Sequence, residues 1–315
     1  MTCMTPVHGP VVVAPPARAI GPSPVRAGTA GWLVVAAAVP VAAGVLLASG
    51  MRLQLASFLP LLLVSALLGT VACVYHRVRP NPRLALPAGL LAMLVLSGLL
   101  AGVISHAGLR LHFPLIDPWL DHADRMLGID TPWLALALDR HAGPALNLIY
   151  VSAFPVIFVT ALWLGFSGQA GRAWELGLGF AGSILVAAVI AVFFPALGNM
   201  AYHHLDGAPG LPEGAGSYYL EAFHYFRDGA DPRFSLQQLS GVVEFPSFHM
   251  VMALLVPWGL RRTGIAGWIA AIWGALVVLS TIAIGGHYVI DLIGGLLLWA
   301  GWMAVARDGR AAPRT

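Results

Sequence analysis

His287 and Asp291 lie four residues apart within STIAIGGHYVIDLIGG (280–295), and His249 closes the pentapeptide Phe245-Pro246-Ser247-Phe248-His249. On a helix, residues at that spacing stack on one face. The Asp291 carboxylate can then take the proton of one imidazole nitrogen and leave the other as a nucleophile or a base. A carboxylate inside an apolar segment costs about 2.5–3.5 kcal/mol on insertion scales, which makes such a residue a functional candidate. The competing explanation is a buried His–Asp pair that only locks two helices. Pro246 is favoured in a first helical turn, so the amides of Ser247, Phe248 and His249 are expected to face an anion with the help of the helix dipole. The Ser247 hydroxyl adds a donor. A phosphate held there would sit beside His249, which could protonate a leaving oxygen.

The elements that carry these residues are apolar throughout. The chain has 315 residues, 58% of them hydrophobic and 10% charged, with a mean hydropathy of +0.81. Soluble domains carry roughly 25% charged residues, so the expected fold class is an all-α, polytopic integral membrane helical bundle. About 20 apolar residues are needed to cross the hydrocarbon layer. Eight stretches qualify, at 30–49, 56–75, 84–106, 143–166, 174–197, 246–260, 264–284 and 287–306. The sixth is short and is bounded by Arg261 and Arg262. Four regions follow: a disordered tail at 1–29, two extra spans at 30–83, a six-span core at 84–306, and a tail at 307–315. All basic residues are arginine, and eleven of the 17 fall on one side of this topology. The positive-inside rule puts that side, with both termini, in the cytoplasm. His249 and His287 are thereby delivered to the exterior face of the plasma membrane.

FPSFH together with S-T-x5-H-Y-x2-D resembles the second and third motifs of the type-2 phosphatidic acid phosphatase superfamily, Pro-Ser-Gly-His and Ser-Arg-x5-His-x3-Asp. Ser280, His287 and Asp291 are in register with the third motif. Because Phe248 replaces the glycine of the second, the chain is most similar to the branch typified by inositol phosphorylceramide synthase. An acidic segment (115–130), PALG (195–198) and RDG (227–229) extend the similarity over roughly 110–300. The resemblance implies that His287 is a nucleophile forming a phosphohistidine, Asp291 its orienting partner and His249 the general acid. It implies no metal and no cofactor. It also implies a lipid or prenyl phosphate substrate, used either for hydrolysis or for head-group transfer to a lipid hydroxyl. Two departures remove phosphate-binding cations: Thr281 stands in place of the third-motif arginine, and the lysine-and-arginine first motif is absent. Arg227, on the exterior loop before Ser247, is the candidate replacement. The lost cations also leave room for a rival reading, a non-catalytic transporter or scaffold with the same fold.

Other signals carry less. GLGFAG (177–182) has dinucleotide-binding glycine spacing but lies inside an apolar span with no strand before it, which predicts tight helix packing. His203, His204 and His224 could bind zinc only if the fold brought them to His249 and His287. Asp117, Asp121 and Asp124 alternate with Ile116, Trp119, Leu120 and Met126, which predicts an amphipathic helix lying in the exterior interface. The small net charge of +3 argues against nucleic acid as a partner. Membrane lipids are the expected surroundings, and nothing in the sequence speaks to oligomeric state.

Overall fold

The computed structural model describes residues 24–205, 212, 214–230 and 233–308. Twelve α-helices follow one another: α1 (Pro24–Ser49), α2 (Leu55–Cys73), α3 (Pro82–Leu109), α4 (Asp117–Met126), α5 (Thr131–Val151), α6 (Ala153–Phe166), α7 (Ala170–Phe193), α8 (Asn199–Tyr202), α9 (Leu220–Asp228), α10 (Phe248–Gly259), α11 (Ile265–Ala283) and α12 (Val289–Asp308). The protein is an all-α polytopic helical bundle. Among the described residues, six helices are long and apolar enough to cross a membrane, and α5 with α6 adds a seventh if the bent pair is one span. With the short α10, these match the eight expected segments, with two shifted starts and one bend. Residues 24–29, expected in the tail, open α1. The rest of that tail, and 309–315 of the other, lie outside the described residues. The fourth segment starts at Thr131 and is bent by 42° between α5 and α6. Pro155 supplies the reason, since it lacks the amide that would bond back across Ser152.

α3 and α7 form the centre, with most of their residues buried. α1 and α2 pack against them from outside and turn Leu55, Leu59, Leu63 and Leu67 outward. A helix apolar on all sides with exposed leucines is stable facing lipid. The glycine-rich stretch of α7 packs tightly, as expected. A Cβ on Gly179 would meet Leu255 and Met303, and one on Gly182 would strike the Trp302 indole. One end of the bundle is tied by a two-residue parallel ladder, Arg52 with Arg233 and Leu53 with Phe234. The loop between α1 and α2 therefore lies at the same end as the segment leading to Ser247.

Candidate active site

Loops from distant parts of the chain hold the third-motif residues in place. The Asn199 amide donates to the Gly286 carbonyl at 2.6 Å and the Gly216 amide to the Ile284 carbonyl at 2.7 Å. This close approach requires glycine at Gly198 and Gly286, whose φ angles are +89° and +74°. Their missing Cβ atoms would collide with Tyr219, Glu244 and Gly216.

His287 follows this junction and is buried. Its Nδ1 lies 3.4 Å from an Asp291 carboxylate oxygen and 3.2 Å from one of Glu244. Asp291 also accepts from the Tyr288 amide at 2.9 Å, and its own carbonyl accepts from the Ser247 amide at 3.0 Å. That last bond joins the two histidine motifs. The His249 ring lies 6.5 Å from the His287 ring, centre to centre, and is stacked on Tyr150 at 4.1 Å. Both histidines face a cavity of about 300 Å³ whose walls include Gly102, Ala187, Phe248 and Glu244. That volume is at the lower end for small-molecule sites, and its lining is mostly apolar, as in such sites generally.

The second motif is built differently from the expectation. Pro246 lies outside the helix, Ser247 is the N-cap, and α10 starts at Phe248. The Ser247 amide is used on Asp291, and its hydroxyl accepts from the Met250 amide at 3.4 Å. Ser247 thus positions the motif, while the first-turn amides of Phe248 and His249 have no carbonyl one turn ahead of them to accept their hydrogens. Arg227 does not line the cavity. It donates to the Phe113 carbonyl at 2.9 Å and so ties α9 to the segment after α3. Thr281 is fully buried and bonds back to Val278 within its own helix. Among the described residues, no arginine lines the cavity.

The aspartates of α4 are not the solvated face of an interfacial helix. Asp117 and Asp124 are both buried, although Trp119 and Met126 beside them are 76% exposed. Asp117 accepts from the amides of Leu197 and Gly198, each at 2.9 Å, and from the Tyr288 hydroxyl at 3.3 Å. Asp124 accepts from the amides of Val289 and Ile290, each at 2.8 Å, and from the Thr131 hydroxyl. It therefore caps α12, the helix that carries Asp291 in its first turn. Charge at a helix N-terminus and satisfaction of orphan amides both favour this arrangement. Asp124→Ala is expected to lower stability by about 2 kcal/mol, read as a reduced unfolding temperature in detergent, with a parallel loss of turnover.

His203 pairs with Asp121 at 3.0 Å and His224 with Asp228 at 3.4 Å, and neither reaches His287. Among the described residues, one grouping of three such side chains has donor atoms within 4.8 Å of one another: Glu244, His287 and Asp291. That spacing would accommodate a cation. It also suits a proton shared between one imidazole nitrogen and two carboxyl groups, and His287 Nδ1 already lies within 3.4 Å of both. Glu244 is the residue that sequence reasoning missed. The signal for it was present in the acid that opens Glu244-Phe-Pro-Ser-Phe-His at the edge of an apolar run.

A helical membrane bundle that buries a His–Asp pair beside a second histidine, at an apolar cavity, defines a membrane protein with a histidine–carboxylate centre. Residues 118–305 match the PAP2 superfamily, and the chain belongs to that superfamily. Membership supports a phosphatase-type function. No curated protein and no solved structure matches the chain significantly.

Proposed function

We propose that the protein cleaves a lipid or prenyl phosphate through a phosphohistidine at His287. The observation that carries this reading is the bonding of His287 Nδ1 to the Asp291 carboxylate, which fixes the hydrogen there and leaves the Nε2 lone pair for attack. The Nε2–P bond forms as the bond from phosphorus to the lipid oxygen breaks. His249, across the cavity, gives its proton to that oxygen. Water then attacks phosphorus, the N–P bond breaks, and the proton of the water returns to His249. The amides of Phe248 and His249, at the start of α10, are the groups placed to bond phosphoryl oxygens. The apolar cavity wall suits the chain of an amphiphile. A lipid hydroxyl in place of water would make the same centre a head-group phosphotransferase. The Phe248-containing motif, similar to the inositol phosphorylceramide synthase branch, favours testing that acceptor too.

The arginine asymmetry supports cytoplasmic termini and an exterior site. The test is phosphate release by the purified protein from phosphatidic acid, prenyl phosphates and diphosphates, and sphingoid phosphates, with EDTA present. EDTA-resistant release from at least one of them is expected. Release that EDTA abolishes would count against a centre working by proton and phosphoryl transfer alone. Absence of both release and transfer to added lipid hydroxyls would favour the non-catalytic scaffold.

A further inference from the structure

Glu244 has no part in the steps above, yet it is buried, lines the cavity and lies 3.2 Å from His287 Nδ1. The two carboxyl groups beside His287 are served unequally. One Asp291 oxygen accepts from both His287 Nδ1 and the Tyr288 amide, and such bonds favour the ionised form. The Glu244 oxygen nearest Nδ1 accepts no hydrogen bond. Two buried carboxylates this close do not both stay ionised, and the proton falls to the one without donors.

We propose that Glu244 is a positioning residue that acts through His287 as a neutral carboxylic acid. Asp291 alone accepts the Nδ1 hydrogen, and Glu244 packs beside that pair without adding a second negative charge. The consequence concerns the missing cations. With Thr281 where the family has arginine, the cavity offers little positive charge to an incoming phosphate. A neutral Glu244 keeps the centre to one carboxylate, so the phosphate meets one negative charge instead of two. The inference rests on the phosphohistidine reading and adds to it a reason why this site can work without those arginines.

Burial, with the Asp291 carboxylate adding to it and the His287 imidazole opposing it, pushes Glu244 up to about 8. Other titratable groups facing it are Tyr219, Asp117, Tyr150 and Tyr218. The acid keeps its proton below that pH and loses it above. Turnover should then fall as pH rises through about 8. Glu244→Gln keeps a neutral group of the same size that cannot ionise. Its turnover should drop by no more than about tenfold at neutral pH, and the alkaline decline should vanish. Glu244→Ala, which leaves the His287 ring facing a void, should lose about a hundredfold.

The experiment measures kcat against pH for the purified full-length protein and these variants. It is paired with infrared spectra of the resting wild type, where a protonated carboxyl band is expected at neutral pH. Glu244→Gln should remove the band, and alkaline pH should remove it from wild type. A Glu244→Gln variant as inactive as His287→Ala would overturn the proposal, as would a wild type without the band. If wild type releases no phosphate from any lipid, the functional reading fails. The infrared band still decides whether Glu244 is protonated, and its loss as pH rises past about 8 decides this should Glu244→Gln fail to fold.

Discussion

His287→Ala is expected to lower turnover by on the order of 10⁶, to the level set by binding and electrostatics alone. The argument starts from where the imidazole is held. Its Nδ1 side is taken by Asp291 and Glu244, and the ring lines the cavity that His249 shares. An alanine there removes the only group proposed to bond covalently to phosphorus. Fold loss is not the expected cause. The loop is held by backbone bonds from Asn199 to Gly286 and from Gly216 to Ile284, and these do not involve the side chain. An unfolding temperature near that of wild type, with turnover lost, is therefore the predicted pair of results. Turnover within tenfold of wild type would remove His287 from the chemistry.

Asp291→Asn is expected to cost about 10²–10³ in turnover through loss of the carboxylate charge. The wild-type carboxylate only accepts, so it orients the imidazole hydrogen onto Nδ1. One of its oxygens takes both the Nδ1 hydrogen and that of the Tyr288 amide, so an asparagine oxygen there keeps both bonds. What is lost is the negative charge that strengthens the Nδ1 bond and offsets the positive ring of the phosphohistidine. The bulk of the side chain is unchanged. Asp291 is fully buried and its carbonyl accepts from Ser247, so the backbone link between the two motifs survives the substitution. The check is kcat at saturating substrate, with histidine nitrogen chemical shifts reporting the Nδ1 bond. Unchanged shifts with unchanged turnover would contradict the assignment.

The sequence was most legible where chemistry and structure are local. Apolar length shows the bundle, and the i, i+4 spacing places His287 beside Asp291. The glycines of 177–182 announce close packing because lipid-facing spans favour small residues where they touch. It was least legible where one residue's role depends on a partner far along the chain. Asp117 and Asp124 sit on a helix with an exposed Trp119 and Met126, and nothing local distinguishes them from solvated acids. Their partners are amides about 80 and 165 residues away. Ser247 failed the expectation for the related reason that its amide is claimed by Asp291. Arg227 was chosen by its position in the loop before Ser247, and loop position says little about where a guanidinium is tied. Glu244 was passed over because a single acid before Phe-Pro reads as loop. Its meaning depends on Asp291, far along the chain, taking the His287 and Tyr288 hydrogens that Glu244 does not.

The central claim, a covalent bond between phosphorus and His287, has one direct test. Purified protein is mixed with a phosphorus-labelled lipid phosphate that it cleaves, quenched within milliseconds in alkaline denaturant that preserves phosphohistidine, and digested for mass analysis. The account predicts label on the peptide containing His287, appearing before free phosphate and absent from His287→Ala. Steady phosphate release with no label on the protein at any quench time, or label on His249 instead, would contradict it.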